Sequence, residues 1–288
     1  MIHLFDLPSE ILVNIITFLP TKDVLKLSIC SKQFHDILYL ARFTNEVPYD
    51  KISKLSYFDS FENVFYNNTN KSENDSLKTS FPKSIKTLHW SRNSEIPEEV
   101  SEKILILKLG TYYWHSLLKI PGNLEHFYLG VFFDNPLPSF PASLKRLILS
   151  WSYNQVLPLL PDALEYLELG HWYKHPLKQL PGALKSLVLG NHFNHELPQL
   201  PETLECLELG IRFNHDITHL PTSLKYLTHW NRYKHYLPII FKSSDCTERE
   251  EYRTGMMASS NIILKFEICW LHDQFIIMNV DLSRGYAF

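Results

Sequence analysis

Five of the fourteen histidines, His115, His175, His195, His215 and His235, stand whole multiples of twenty residues apart. Imidazole is a common metal ligand and a general base near neutral pH, so such a column could bind zinc or relay protons. Structural zinc needs a closed tetrahedral ligand set, however, and a residue repeated once per period is the mark of a duplicated surface position. The four cysteines, Cys30, Cys206, Cys246 and Cys269, form no CxxC pair, which fits reduced thiols. There is no Gly-rich phosphate loop, no HExxH and no convincing nucleophile–base pairing. The expectation is a chain that is not an enzyme, with no catalytic residues, no metal site and no cofactor.

The period that places the histidines is carried more strongly by other residues. Pro121, Pro141, Pro161, Pro181, Pro201 and Pro221 recur every twenty residues. Leu124, Leu144, Leu164, Leu184, Leu204 and Leu224 follow three positions later, then Phe127, Leu147, Leu167, Leu187, Leu207 and Leu227. Two positions on come Leu129, Leu149, Leu169, Leu189 and Leu209, and a spacing of two places both side chains on one face of an extended strand. Gly130, Gly170, Gly190 and Gly210 close the strand, with Ser150 in the same column, so a positive φ is not obligatory there. An aromatic column from Tyr113 to Tyr233 and an aliphatic one from Leu117 to Leu237 complete the interior.

A period of twenty with one short strand per copy is a solenoid. It leaves no room for a long crossover helix, so the return path is extended or turn-like, as the fixed φ of the prolines favours. The pattern predicts a shallow horseshoe with a parallel sheet. Weaker copies, FPKSIKTLHW and SEKILILKLG, start the array near Phe81; ILKFEICW and QFIIMNV predict a hairpin that seals its end. Glu125, Lys145, Glu165, Lys185, Glu205 and Lys225 alternate in sign at the strand entrance and should pair from coil to coil. FNHEL at 193–197 and FNHDI at 213–217 resemble the FNIP repeats, a leucine-rich-repeat-like family. Tyr173-Lys174 and Tyr233-Lys234 depart from its Phe-Asn pair, which breaks any continuous Asn ladder.

The first forty residues have a different, helical periodicity. Pro8 and Pro20 bracket a segment in which Ile11, Leu12, Ile15, Ile16 and Leu19 form a broad apolar stripe. A second helix near Val24–Leu27 and a third carrying Phe34, Ile37 and Leu38 follow, too little to be stable alone. Leu7-Pro8-x-Glu10-Ile11, Phe18-Leu19-Pro20 and Cys30-Ser31-Lys32-x-Phe34 resemble an F-box over its full length. The resemblance implies binding to the Skp adaptor of Skp–cullin–F-box ubiquitin ligases, and through it to cullin. It carries the contact role onto Leu7, Pro8, Ile11, Ile15, Leu19, Leu25 and Leu27. F-box followed by FNIP repeats is a combination associated with amoebae and the large DNA viruses that infect them.

The expected fold class is thus α+β: F-box over 1–40, a linker packing on the first repeat over 41–80, solenoid over 81–240 and C-terminal β cap over 241–288. A net charge of -3 and the absence of a basic run argue against nucleic acid. NIILKFEICWLHDQFIIMNV carries too many charges to span a bilayer, and MIHLFDLPSEIL lacks a secretory pattern, so a cytoplasmic or nuclear monomer is expected. Specificity should lie on outward strand positions and just beyond them, at His126, Tyr128, Arg146, Tyr166, Glu168, Trp172, Glu208 and Tyr226, because these vary where the core columns repeat. They would bind an unknown protein substrate. The competing readings are a non-degradative scaffold or decoy, and a stand-alone interaction repeat with a helical cap.

Overall fold

The computed structural model describes residues 7–20, 23–24, 26–27, 32–67, 80–217, 219–229, 262–271 and 274–284. Two compact units emerge, the first holding 1–115 with 121–124, the second 116–120 with 125–288.

The first unit opens with helix α1 (Ser9–Phe18), whose first hydrogen bonds run from the Ile11 and Leu12 amides to the Pro8 carbonyl. Pro8 therefore sits one position before the helix, and Leu19 ends it in extended conformation ahead of Pro20. Residues 23–24 and 26–27 are helical, and α2 spans Lys32–Ile37. Leu12 and Ile16 of α1 bury with Val24, Ile37, Leu38 and Ala41, a core of few residues. Its support comes from the chain that follows. Ser60 Oγ donates to the Leu38 carbonyl at 2.9 Å, Phe43 bridges to Phe61, and their rings stack at 4.8 Å.

Over 41–80, where the sequence suggests a linker, the backbone forms β1 (Val47–Pro48), α3 (Tyr49–Ile52), a 3-10 turn (Phe58–Ser60) and β2 (Asn63–Tyr66). β1 pairs with β2, β2 with β3 (Thr87–Trp90) and β3 with β4 (Ile106–Leu109), all in parallel. Between β3 and β4 lies the short helix α4 (Glu98–Ser101). The coil pattern thus starts upstream of Phe81, hidden in the sequence because Tyr66, Phe61 and Val64 fill its columns instead of leucines. Tyr66 stacks on Tyr49 at 4.6 Å, and its hydroxyl donates to the Ser80 carbonyl.

The second unit repeats one plan. A turn closed by the amide three residues after each proline (Leu144 to Pro141, for example) leads into a strand of three or four residues. These strands are β5 (His126–Tyr128), β6 (Arg146–Ile148), β7 (Tyr166–Glu168), β8 (Ser186–Val188), β9 (Cys206–Leu209) and β10 (Tyr226–His229). They pair in parallel with a register of twenty residues, Arg146 opposite Tyr166 and Tyr166 opposite Ser186. A second turn, Gly170 carbonyl to Tyr173 amide, sends the chain into an extended return without helix. The expected hairpin is present as β11 (Ile262–Leu271) and β12 (Gln274–Arg284), with β11 antiparallel to β10 at Leu264 and His229.

Identical columns stack because the register is fixed. The leucines at 144, 164, 184 and 204 are fully buried, and the rings of Phe133, Tyr153, Tyr173, Phe193 and Phe213 form a parallel ladder at 6.3–6.4 Å. Burial pushes the Tyr173 hydroxyl up to about 12, so it stays neutral. The aliphatic column is looser than expected: Leu137 and Leu177 are buried, whereas Leu117, Leu157, Leu197 and Ile217 keep part of their surface in water. Lys145, Lys185 and Lys225 reach Glu125, Glu165 and Glu205 at 3.1, 2.7 and 2.7 Å. Cys206 is disulfide-bonded, contrary to the expectation of free thiols.

The glycine column has a steric cause. A Cβ on Gly190 would lie 1.8 Å from the Gly170 carbonyl oxygen, and one on Gly170 1.9 Å from that of Ser150. At these two positions the coils approach too closely for a Cβ, and backbone cannot yield as a flexible side chain would. Ser150 is accommodated with its hydroxyl donating to the Phe133 carbonyl. Gly190→Ala should therefore cost about 1–3 kcal/mol, as overpacking does. Gly182, with nothing within 4 Å of its would-be Cβ, should tolerate alanine within about 1 kcal/mol. Urea midpoints of the two variants check this; equal shifts would refute the steric account.

Candidate partner-binding surfaces

Helix α1 has two faces. Leu12 and Ile16 point inward, while Ile11 is 45% and Phe18 88% exposed. Pro8 is exposed, and Leu7, Ile15, Leu19 and Leu27 are partly so. Six of the seven expected contact residues therefore keep surface available; Leu25 lies outside the described residues. Phe18, with Tyr39 and Leu40 beyond α2, belongs to the same class of exposed apolar residues, although the sequence reading used it only as a motif marker. Helical periodicity marks a stripe as apolar but does not say which edge of it the domain covers.

The second unit presents two rows of side chains on the outer face of its strands. Register places His126, Arg146, Tyr166, Ser186, Cys206 and Tyr226 in one row, and Tyr128, Ile148, Glu168, Val188, Glu208 and Thr228 in the other. The Arg146 guanidinium lies 3.9 Å from the Tyr166 ring centroid, and the Tyr166 hydroxyl donates to Glu168 Oε2 at 3.0 Å. Burial, aided by Glu168, pushes the Tyr166 hydroxyl well above the usual tyrosine range. Arg146, Tyr166 and Glu168 thus form a pre-set polar group. Seven of the eight expected residues stand in these rows; Trp172 stands apart, on the turn after β7.

In the first unit Glu46 accepts from His89 Nδ1 at 3.0 Å and approaches Lys108 Nζ at 3.4 Å. The His89 hydrogen bond, then the Lys108 charge, hold its carboxyl below the ordinary range despite opposing burial. The sequence reading missed this cluster because Glu46 belongs to no repeat column.

The histidine column has a structural occupation. His175, His195 and His215 place Nε2 at 2.9, 2.6 and 3.1 Å from the carbonyl oxygens of Asn154, Lys174 and Asn194. A carbonyl only accepts, so each Nε2 carries the proton and donates. Beside them the amides of Asn154, Lys174 and Asn214 donate to the side-chain oxygens of Asp134, Asn154 and Asn194. Among the described residues the Asn ladder thus runs through Asp134, Asn154 and Asn194 and breaks at Lys174.

Residues 4–45 match the F-box domain family, and residues 133–172 match the FNIP Repeat. The chain thus carries an F-box at 4–45 and a FNIP repeat at 133–172, the latter within the solenoid. No curated protein matches it. Among solved structures it is similar to CroV588, described as a novel circular LRR protein, at 26% identity and a TM-score of 0.52, covering 59% of this chain and 27% of that one. YopM from Yersinia enterocolitica WA-314 is 20% identical over 61% of this chain and 48% of that one, with a TM-score of 0.31. The chain thus spans less than half the length of either protein. An F-box joined to leucine-rich-repeat-like coils is the make-up of a protein-interaction adaptor.

Because the column histidines bond one coil to the next, His195→Ala should lower stability by about 1 kcal/mol, the net worth of a hydrogen bond. Zinc should leave the urea midpoint of the wild type unchanged. A zinc-dependent rise abolished in the variant would restore the metal reading.

Proposed function

We propose that the chain is the substrate-recognition adaptor of a Skp–cullin–F-box E3 ubiquitin ligase, with the F-box docking the Skp adaptor and the repeats holding a protein substrate. The observation that carries it is the F-box match at 4–45 together with an α1 that leaves Ile11 and Phe18 in solvent. A domain that covered its own apolar stripe would have no such surface to offer. Ubiquitin transfer would then belong to the recruited partners, and this chain would contribute only proximity between substrate and ligase. The strand rows around Arg146, Tyr166 and Glu168 supply the side-chain types that dominate interface energetics. On this reading the protein works as a monomer bound to one adaptor, in the cytoplasm or nucleus.

The direct test is titration with purified Skp adaptor. Submicromolar binding is expected, weakened roughly a hundredfold or more by Ile11→Asp with Phe18→Asp, since both side chains are exposed and the fold should survive. No binding by folded wild type would reject the ligase reading. A captured partner that is never ubiquitinated in a reconstituted ligase would point to a scaffold or decoy.

A further inference from the structure

The turn that follows each strand in the second unit forms a second surface, distinct in character from the strand rows. The Trp172, His192 and Arg212 amides donate to the carbonyl oxygens of Trp151, His171 and Asn191 at 3.1, 3.0 and 3.0 Å. Main-chain bonding therefore carries the coil spacing out into the turns and fixes the side chains they project. Trp151 stacks on His171 at 3.9 Å and 14°, and Trp172 on His192 at 4.0 Å and 26°. Although so packed, Trp151 and Trp172 remain 39% and 41% exposed. Large apolar rings held rigid at the surface contribute contact area with little further loss of side-chain entropy on binding.

The charged side chains that the turns themselves bring to this ledge are cations. Lys174 Nζ lies 5.5 Å from the Trp172 ring centroid, and Arg212 projects from the turn two coils beyond Trp172. The His192 imidazole is held below its ordinary value first by desolvation, then by the positive charges of Arg212 and Lys174. The neighbouring strand row carries two carboxylates, Glu168, which accepts from the Tyr166 hydroxyl, and Glu208. Two indoles flanked by two cations, on turns locked in register, match an extended partner whose negative charges alternate with apolar side chains.

We propose that the ledge of Trp151, Trp172, Lys174, His192 and Arg212 docks an acidic peptide segment of a protein partner. Carboxylates of the segment pair with Lys174 and Arg212, and its apolar side chains lie on the exposed indole surface. Single-stranded nucleic acid also combines stacking with positive charge, but its binding uses a cationic groove that tracks the phosphate backbone, whereas this ledge offers two separate cations, Lys174 and Arg212. The inference rests on the repeats being the partner-binding part of the chain and is independent of any role in ubiquitination.

The test is selection of a random dodecapeptide display library on the intact protein, with the enriched peptides then titrated by fluorescence anisotropy. Acidic sequences containing aliphatic, aromatic or proline residues are expected. Lys174→Glu with Arg212→Glu should weaken them roughly tenfold or more, and Trp172→Ala should also weaken them, with circular dichroism unchanged. Enrichment of neutral or basic sequences, failure to enrich any, or binding indifferent to the charge reversal would overturn the proposal. So would displacement of the peptides by oligo-dT at lower concentration than by free peptide. Skp-adaptor titration of the same preparations separates the two proposals, because that binding belongs to α1 and is indifferent to these substitutions.

Discussion

Close main-chain approach between successive coils is the constraint on which the solenoid depends. Where the Gly170 carbonyl comes within 1.8 Å of the place a Gly190 Cβ would occupy, the coils have no freedom to shift along one another. That approach sets the twenty-residue register, and the register brings leucine over leucine and ring over ring. The burial of the Leu and aromatic columns then rewards the same arrangement. Steric exclusion at one column and apolar burial at the others select a single alignment, so a slipped coil loses both at once.

Polar groups reinforce that alignment. A coil without helix or long strands leaves many backbone amides and carbonyls with no partner inside the coil, and each must find one in the next. The Asp and Asn side chains at 134, 154 and 194 and the imidazoles at 175, 195 and 215 answer that need outside the strands. Residues that suggest metal chemistry when read singly are, in column, the side-chain half of a main-chain network. The Glu–Lys pairs repeat the logic at the strand entrance, where each lysine reaches to the carboxylate twenty residues earlier.

Repetition decided what could be read from the sequence. The solenoid, its strands, its extended return and its closing hairpin were legible because the period of twenty multiplies a weak local signal. What precedes Phe81 was not: Val64 and Tyr66 occupy core positions with residues that break the leucine column, and the intervening polar tract disguises the spacing. On α1 the motif did not set Phe18 apart as exposed, since an exposed and a buried apolar residue look alike in sequence. The strand rows were legible as positions that vary. The bonding among Arg146, Tyr166 and Glu168 depends on side chains meeting both across strands and along one, which no linear spacing encodes.

Fixed register also makes the array modular. Each coil of the second unit satisfies the one before it and presents the same unsatisfied edge to the one after, so a whole twenty-residue unit can be gained or lost with every buried contact remade. Strand spacing of about 4.8 Å then becomes the step by which features on the strand rows and turns change their separation. The outer surface of such an array lengthens in increments, like the divisions of a scale.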